Sequence, residues 1–302
     1  MMHIDFMGKK YWWFALSGIV ILAGVVSLFT RGLNLSIDFT SGSRLTVAFA
    51  QPTSVDAVRS AVAQAGYSDA VVQTVGSDYQ VTLPALNTDQ ENAVTAALNG
   101  AIGGATVKSW QSIGPTFGRQ VLDSMIEAII VAWVLIIAYV SFRFEYKFAV
   151  ATLIALFHDL LVTVGVYSIV GREVTTATVA AVLTILGYSL YDTIIVFDRV
   201  RENAPRAKRG GYSEMVNESI WEVMNRSIIT SMLTLIPVIC LLVFGGETLK
   251  DFAFALLVGI TSGAYSSIFV AAPLLTLWKE REKRYRPGPV KKVRKAKAVS
   301  TG

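Results

Sequence analysis

The chain is short of charge and of the residues that build metal or disulfide frameworks. Of its 302 residues only 16% are Asp, Glu, Lys or Arg, against about 25% in a soluble domain. One cysteine excludes a disulfide scaffold. Cys240 and two histidines cannot supply a four-ligand cage, so no metal and no cofactor is expected. No nucleophile–base pair stands out, and an enzyme is not expected. Apolar residues are what is abundant: 53% are hydrophobic and the mean hydropathy is +0.51. Such a chain can neither clothe a water-facing surface nor stay disordered over most of its length. It reads as an integral membrane protein.

Crossing a bilayer core takes about 20 helical residues. Six apolar segments are long enough: 11–29, 122–141, 147–170, 174–197, 226–244 and 250–278. The first is too long for the h-region of a removable signal, and no clear A-x-A site follows it. Lysine and arginine set the orientation. Twenty of them fall on the side of residues 1–10 and 279–302, against seven on the side of 30–121. Both termini are therefore expected in the cytoplasm and 30–121 outside. The basic tail (279–302) reads as a solvated positive-inside anchor, and contact with anionic lipid, RNA or a ribosome is the alternative.

The outer segment has alternating strand and helix patterns. Strands are expected at 43–49, 69–75, 78–84 and 105–113, with Gly76-Ser77 as a tight hairpin. Helices are expected at 53–66, capped by Thr53 or Ser54, and at 88–100, capped by Thr88 with Glu91 three residues on. The order βαββαβ is that of a split ferredoxin-like unit. The predicted architecture is thus an α-helical membrane protein with a ferredoxin-like external domain (30–121) between the first helix and a five-helix bundle (122–278). No cluster of His, Cys or paired acids marks the outer domain as an enzyme; a docking or lever module fits it better.

Ionisable side chains inside spans are costly and point to function. Asp159 sits mid-span in the third segment beside His158. Asp192 in the fourth closes a stripe with Thr184, Tyr188 and Tyr191 on one helical face. Arg226 opens the fifth, followed by Thr230 and Thr234 at i+4 and i+8. Two readings stand. In one, Asp192, Arg226 and Asp159 form a proton relay, supported by Tyr188, Tyr191, Thr184, Thr230 and Thr234. In the other, Asp192 and Arg226 are a static brace and Asp159 a packing group. His158, about 100° from Asp159 around the helix, is not expected to share its face. Gly259, Gly263 and Ser267 form a small-residue ridge for close packing against another helix.

SIDFTSG (36–42), IGPTFG (113–118), FRFEYKFAVATLIALFHDLL (142–161), LGYSLYDTIIVFDRVREN (186–203), NRSIITSMLTLIPV (225–238) and LLVFGGETLKDFAFALLVGITSGAYSSIFVA (241–271) resemble the SecF family of the SecDF protein-export complex. The resemblance runs from 11 to 278 in the family's order. It implies an RND-type six-helix half that pairs with a SecD-like subunit. It implies association with the SecYEG channel, with YajC- and YidC-like proteins, and with a translocating preprotein, in a bacterial or archaeal cytoplasmic membrane. The implied energy source is the proton-motive force, with protons as the coupling ion and no nucleic acid. The family's fourth-span carboxylate matches Asp192, its fifth-span arginine Arg226, and its third-span FHD Phe157, His158 and Asp159. The family's GIDFTGG becomes SIDFTSG here, which keeps Asp38 and Phe39 and puts serine at positions 36 and 41. Asp38, Phe39, Gly42, Gly114 and Gly118 are the candidate hinge of the outer domain. An RND-type exporter of small molecules or lipids, and a non-transporting translocon scaffold, are the alternative functions.

Overall fold

The computed structural model describes residues 5–207, 211–282 and 284–285. The tail from residue 286, with the Lys208–Arg209 pair, lies outside the described residues. In chain order, α1 (Lys10–Arg31) leads through β1 (Asn34–Leu35) and the single turn α2 (Ile37–Thr40) into β2 (Gly42–Phe49). Then come α3 (Val55–Gln64), β3 (Val71–Val75), β4 (Asp78–Leu83), α4 (Thr88–Ala101) and β5 (Ala105–Ile113). The bundle follows: α5 (Pro115–Arg143), α6 (Tyr146–Val170), the two-residue β6 (Glu173–Val174), α7 (Thr176–Asn203) and α8 (Tyr212–Phe244). The last span is α9 (Glu247–Ser266), a π-turn at Ser267–Ala271, and α10 (Ala272–Lys279). Six of these helical stretches are long and apolar enough to cross a membrane.

The fifth helix begins at Tyr212, well before the apolar run at 226. Its first four turns are amphipathic, which hydropathy alone misses: Tyr212, Met215, Val216 and Ile220 face inward. There they join Phe144, Phe148, Phe197 and Leu275 in one apolar core, together with Phe6 and Met7. The amides of Phe6 and Met7 donate to Asn217 Oδ1 at 3.0 and 3.1 Å. Lys10 and Glu280 lie 4.0 Å apart, so the start of α1 and the end of α10 share one end of the bundle.

The 42–113 region forms a four-stranded sheet in the order β3-β4-β2-β5, every neighbouring pair antiparallel. Alternation makes one face: Leu45, Val47, Val72, Val81 and Leu83 are buried with Val58 and Val62 of α3 and Val94 and Leu98 of α4. Of the two expected cap candidates, Thr53 and Ser54, the structure uses Ser54. The cap of α4 is Asn87, not Thr88: Asn87 and Gln90 satisfy each other's backbone amides, one residue earlier than predicted.

The end of the bundle near this sheet is tied together closely. Gly24 of α1 meets Gly165 of α6 so tightly that a Cβ on Gly24 would stand 2.7 Å from the Gly165 Cα. Ser27 and Ser168 share a hydrogen bond of 2.8 Å. Beyond them β1 pairs in parallel with β6, and Ser36 N–H donates to the Val174 carbonyl at 3.0 Å. Arg44 of β2 is ion-paired with Glu173. The Thr176 N–H, in the first turn of α7, donates to Asp38 Oδ2 at 3.0 Å. Asp38, Phe39 and Gly42 of the candidate hinge lie in this tied segment. Gly32 and Gly42 do take positive φ (71° and 140°), but the segment between them is bonded to the α6–α7 connection.

The two serines of the SIDFTSG motif behave differently. Ser36 takes an ordinary extended backbone and its hydroxyl caps α2 by accepting from Asp38 N–H. Ser41 sits at φ 64°, ψ 161°, a region nearly reserved for glycine. Its hydroxyl points at Gly118 in the first turn of α5, where a Cβ would stand 2.6 Å from it. Gly114, by contrast, has φ −70° and serves as the N-cap of α5.

Candidate functional site among the membrane helices

Asp159 on α6 is completely buried, and four side chains serve it. Its Oδ2 accepts from the Ser189 hydroxyl of α7 at 2.5 Å and the Ser266 hydroxyl of α9 at 2.7 Å. Its Oδ1 accepts from Ser262 at 2.7 Å and lies 3.1 Å from His158 Nδ1. The expectation that His158 turns away from Asp159 is therefore corrected. The two Cα–Cβ vectors do diverge, but the imidazole reaches back to its neighbour's carboxylate. With Nδ1 so engaged, the tautomer serving Asp159 carries its proton there. The small-residue ridge of α9 makes this cluster possible. Gly259 and Gly263 lie against Ile185 and Ser189, where a Cβ on Gly263 would be 2.9 Å from the Ser189 Cβ. The helix that meets that ridge is α7 of the same chain.

Asp192 on α7 is 2% exposed and differently served. Its Oδ1 accepts from the Ser227 hydroxyl of α8. Its Oδ2 has no hydrogen-bond partner among the described residues. Beside it, Thr193 and Ser267 share a hydrogen bond of 3.0 Å across α7 and the π-turn. A buried carboxylate oxygen without a donor is costly as an anion, and the cost falls when that oxygen carries a proton.

The remaining predicted residues divide. Arg226 is exposed on α8, and its Nη2 donates to the Tyr191 hydroxyl at 3.1 Å; it forms no ion pair with Asp192. Tyr188 donates to the Ser231 hydroxyl at 3.0 Å and so links α7 to α8. Thr184, Thr230 and Thr234 turn back to carbonyls of their own helices and take no part in the cluster. Sequence reasoning did not single out Ser227, Ser189, Ser262 or Ser266 as partners of the two carboxylates. The i, i+4 spacing of the last two on α9 was the available signal.

The family model described as "Protein export membrane protein SecD/SecF, C-terminal" matches residues 93–281. The chain belongs to the SecD/SecF family. A second model, "SecD/SecF GG Motif", matches residues 26–53, which include the SIDFTSG segment. A protein translocase subunit SecF from Desulfurispirillum indicum is 39% identical over 291 residues, covering 92% of this chain and 93% of the relative. The SecF of Escherichia coli O157:H7 is 35% identical, covering 92% and 89%. In a protein translocase subunit SecDF from Thermus thermophilus the match is 38% identical, covering 87% of this chain and 36% of the relative. The crystal structure of SecDF from Thermus thermophilus, a translocon-associated membrane protein, superposes with a TM-score of 0.86 at 36% identity. The match covers 92% of this chain and 39% of the solved one. A crystal structure of SecDF in a super-membrane-facing form gives a TM-score of 0.67 at 34% identity.

Proposed function

We propose that this chain is the SecF-type half of a proton-driven auxiliary protein translocase. It works with a SecD-like half, in line with the single-chain SecDF relative of which it matches about a third. The partners inferred for the pair are the SecYEG channel, YajC- and YidC-like proteins and the preprotein in transit. The membrane is the bacterial cytoplasmic membrane, with both termini in the cytoplasm and residues 30–121 outside, as the lysine and arginine distribution favours. The activity is transport coupling, not bond-making catalysis.

The observation that supports proton coupling is the single unpartnered oxygen of buried Asp192. Asp159 is surrounded by donors, two at each carboxylate oxygen: Ser189 and Ser266 at Oδ2, Ser262 and His158 Nδ1 at Oδ1. A proton added there would displace one of those donors. A proton added to Asp192 Oδ2 displaces none. One charge crossing the full potential is worth about 2.3 kcal/mol per 100 mV, enough to bias a two-state domain equilibrium. The test is Asp192→Asn, paired with its SecD-like partner in vesicles. Asn fills the same space and cannot titrate. The proton-dependent phase of export should vanish while assembly persists; undiminished proton-driven export by the variant would refute the assignment.

A further inference from the structure

α7 carries Asp192 just past its middle and begins against the 42–113 sheet region. Thr175 and Thr178 satisfy each other's backbone amides there as a capping box. The Thr176 N–H, which the box does not satisfy, bonds to Asp38 Oδ2 from a different part of the chain. The other ties in this region, the β1–β6 pairing, Ser36 to Val174 and Arg44 to Glu173, all grip the connection before α7. Asp38 grips the helix itself. A carboxylate also suits that position because the amino end of a helix carries partial positive charge.

On the other side Asp38 belongs to α2, whose Ile37 and Phe39 are buried. α2 runs directly into β2, an inner strand of the outer sheet with β4 on one edge and β5 on the other. α2 also leans on the start of α5 through the Ser41–Gly118 contact. From Thr176 to Asp192 the helix is unbroken and holds no proline, so Asp192 lies about 24 Å along a continuous rod.

We propose that Asp38 is a positioning residue that couples α7 to the outer domain, so that displacement of the helix bearing Asp192 is passed through α2 to the sheet. This rests on the proton-driven reading above and adds its mechanical output. The coupling needs an acceptor oxygen at position 38 and a donor at the Thr176 nitrogen, and it does not need a charge that titrates.

The experiment uses the full chain with its SecD-like partner in vesicles, reading proton-driven export and proton flux separately. Asp38→Ala removes the acceptor. Loss of a capping oxygen shifts the held-against-released equilibrium by about fivefold to tenfold. Export should drop by that order while proton flux persists. Asp38→Asn keeps a capping oxygen, as effective as that of Asp, and should restore export. Thr176→Pro tests the other partner. Proline is favoured at the first helical position and lacks the N–H, so α7 stays formed while the bond is lost, and export should fall as with Asp38→Ala. The Thr176→Pro result decides the matter where Asp38→Ala does not accumulate. Normal export by Asp38→Ala or by Thr176→Pro overturns the proposal. So does Asp38→Asn failing as completely as Asp38→Ala, because the charge and not the bond would then matter. Failure of the underlying reading looks different: Asp192→Asn would export normally.

Discussion

Arg226 and Asp192 stand on neighbouring helices and do not pair: the guanidinium donates to the Tyr191 hydroxyl, while the carboxylate turns to Ser227. The acid and the base are held apart by one residue of register, since Tyr191 and Asp192 are adjacent on α7 and point about 100° apart. A relay built on direct contact between them would require α7 or α8 to rotate.

Tyr191→Phe removes the hydroxyl that holds Arg226 and leaves Asp192 untouched. Proton-driven export should therefore slow by a few fold and not disappear, whereas Asp192→Asn should abolish it. Arg226→Lys keeps charge but loses the planar fork, and its loss should exceed that of Tyr191→Phe. Equal loss in Tyr191→Phe and Asp192→Asn, measured as export rate in energised vesicles, would contradict this ordering.

Asp159 and Asp192 should also separate in stability. Asp159→Ala strips the acceptor from three buried hydroxyls, those of Ser189, Ser262 and Ser266. Each hydroxyl left unsatisfied costs about 1–3 kcal/mol, less where it can turn to its own helix, as Ser266 can to the Gly263 carbonyl. A clear fall in the thermal unfolding temperature of the purified protein is expected. Asp192→Ala removes the acceptor of Ser227 alone and should cost less. The reverse order would mean that Asp159 is not the brace joining α6, α7 and α9.

Ser41 carries backbone strain that a glycine in its place would not. Ser41→Gly should raise stability by about 1 kcal/mol, because the φ 64°, ψ 161° backbone costs a non-glycine residue roughly 1–3 kcal/mol and glycine's looser unfolded chain takes part of that back. It also opens space beside Gly118. Differential unfolding in detergent measures it, and a destabilised Ser41→Gly would show that the serine hydroxyl outweighs the strain.

Much of the fold is legible in the sequence because long apolar runs and strand alternation are local patterns. The six spans and the sheet strands follow from spacing, which narrowed the α3 cap to Thr53 or Ser54. What was not legible depends on partners distant in sequence. A two-residue parallel pair such as Asn34–Leu35 with Glu173–Val174 has no periodicity to detect. Ser189 and Ser227 carry no sequence signal, because their partners Asp159 and Asp192 lie on other helices. The His158–Asp159 bond was missed because helical angles describe Cβ directions and not where a long side chain can return. Asp192 was picked correctly as a buried acid, but its assumed partner Arg226 could not be judged from depth alone.

Glu173 gives a pH signature at the end of the bundle nearest the sheet. Burial pushes its carboxyl above the ordinary value of 4.5; Arg44 pulls the other way, and Asp251 and Asp38 add to the rise. The charged groups packed around it are thus Arg44, Asp38 and Asp251, the last of which pairs with Arg172 at 2.7 Å. A carboxyl raised in the folded state binds its proton more tightly there than when unfolded. Its contribution to stability is present below the unfolded value and is lost as pH rises through the raised folded value. Glu173→Gln is neutral at every pH and still offers Arg44 a carbonyl oxygen. The variant should therefore match the wild type in acid and become the more stable of the two as pH rises through that window. Unfolding temperatures of both proteins, measured across pH 4 to 8 in steps of about half a unit, resolve a shift of this kind. A gap that stays constant with pH, or one that favours the wild type increasingly at higher pH, would show instead that the Arg44 pairing outweighs burial and that Glu173 is held as an anion.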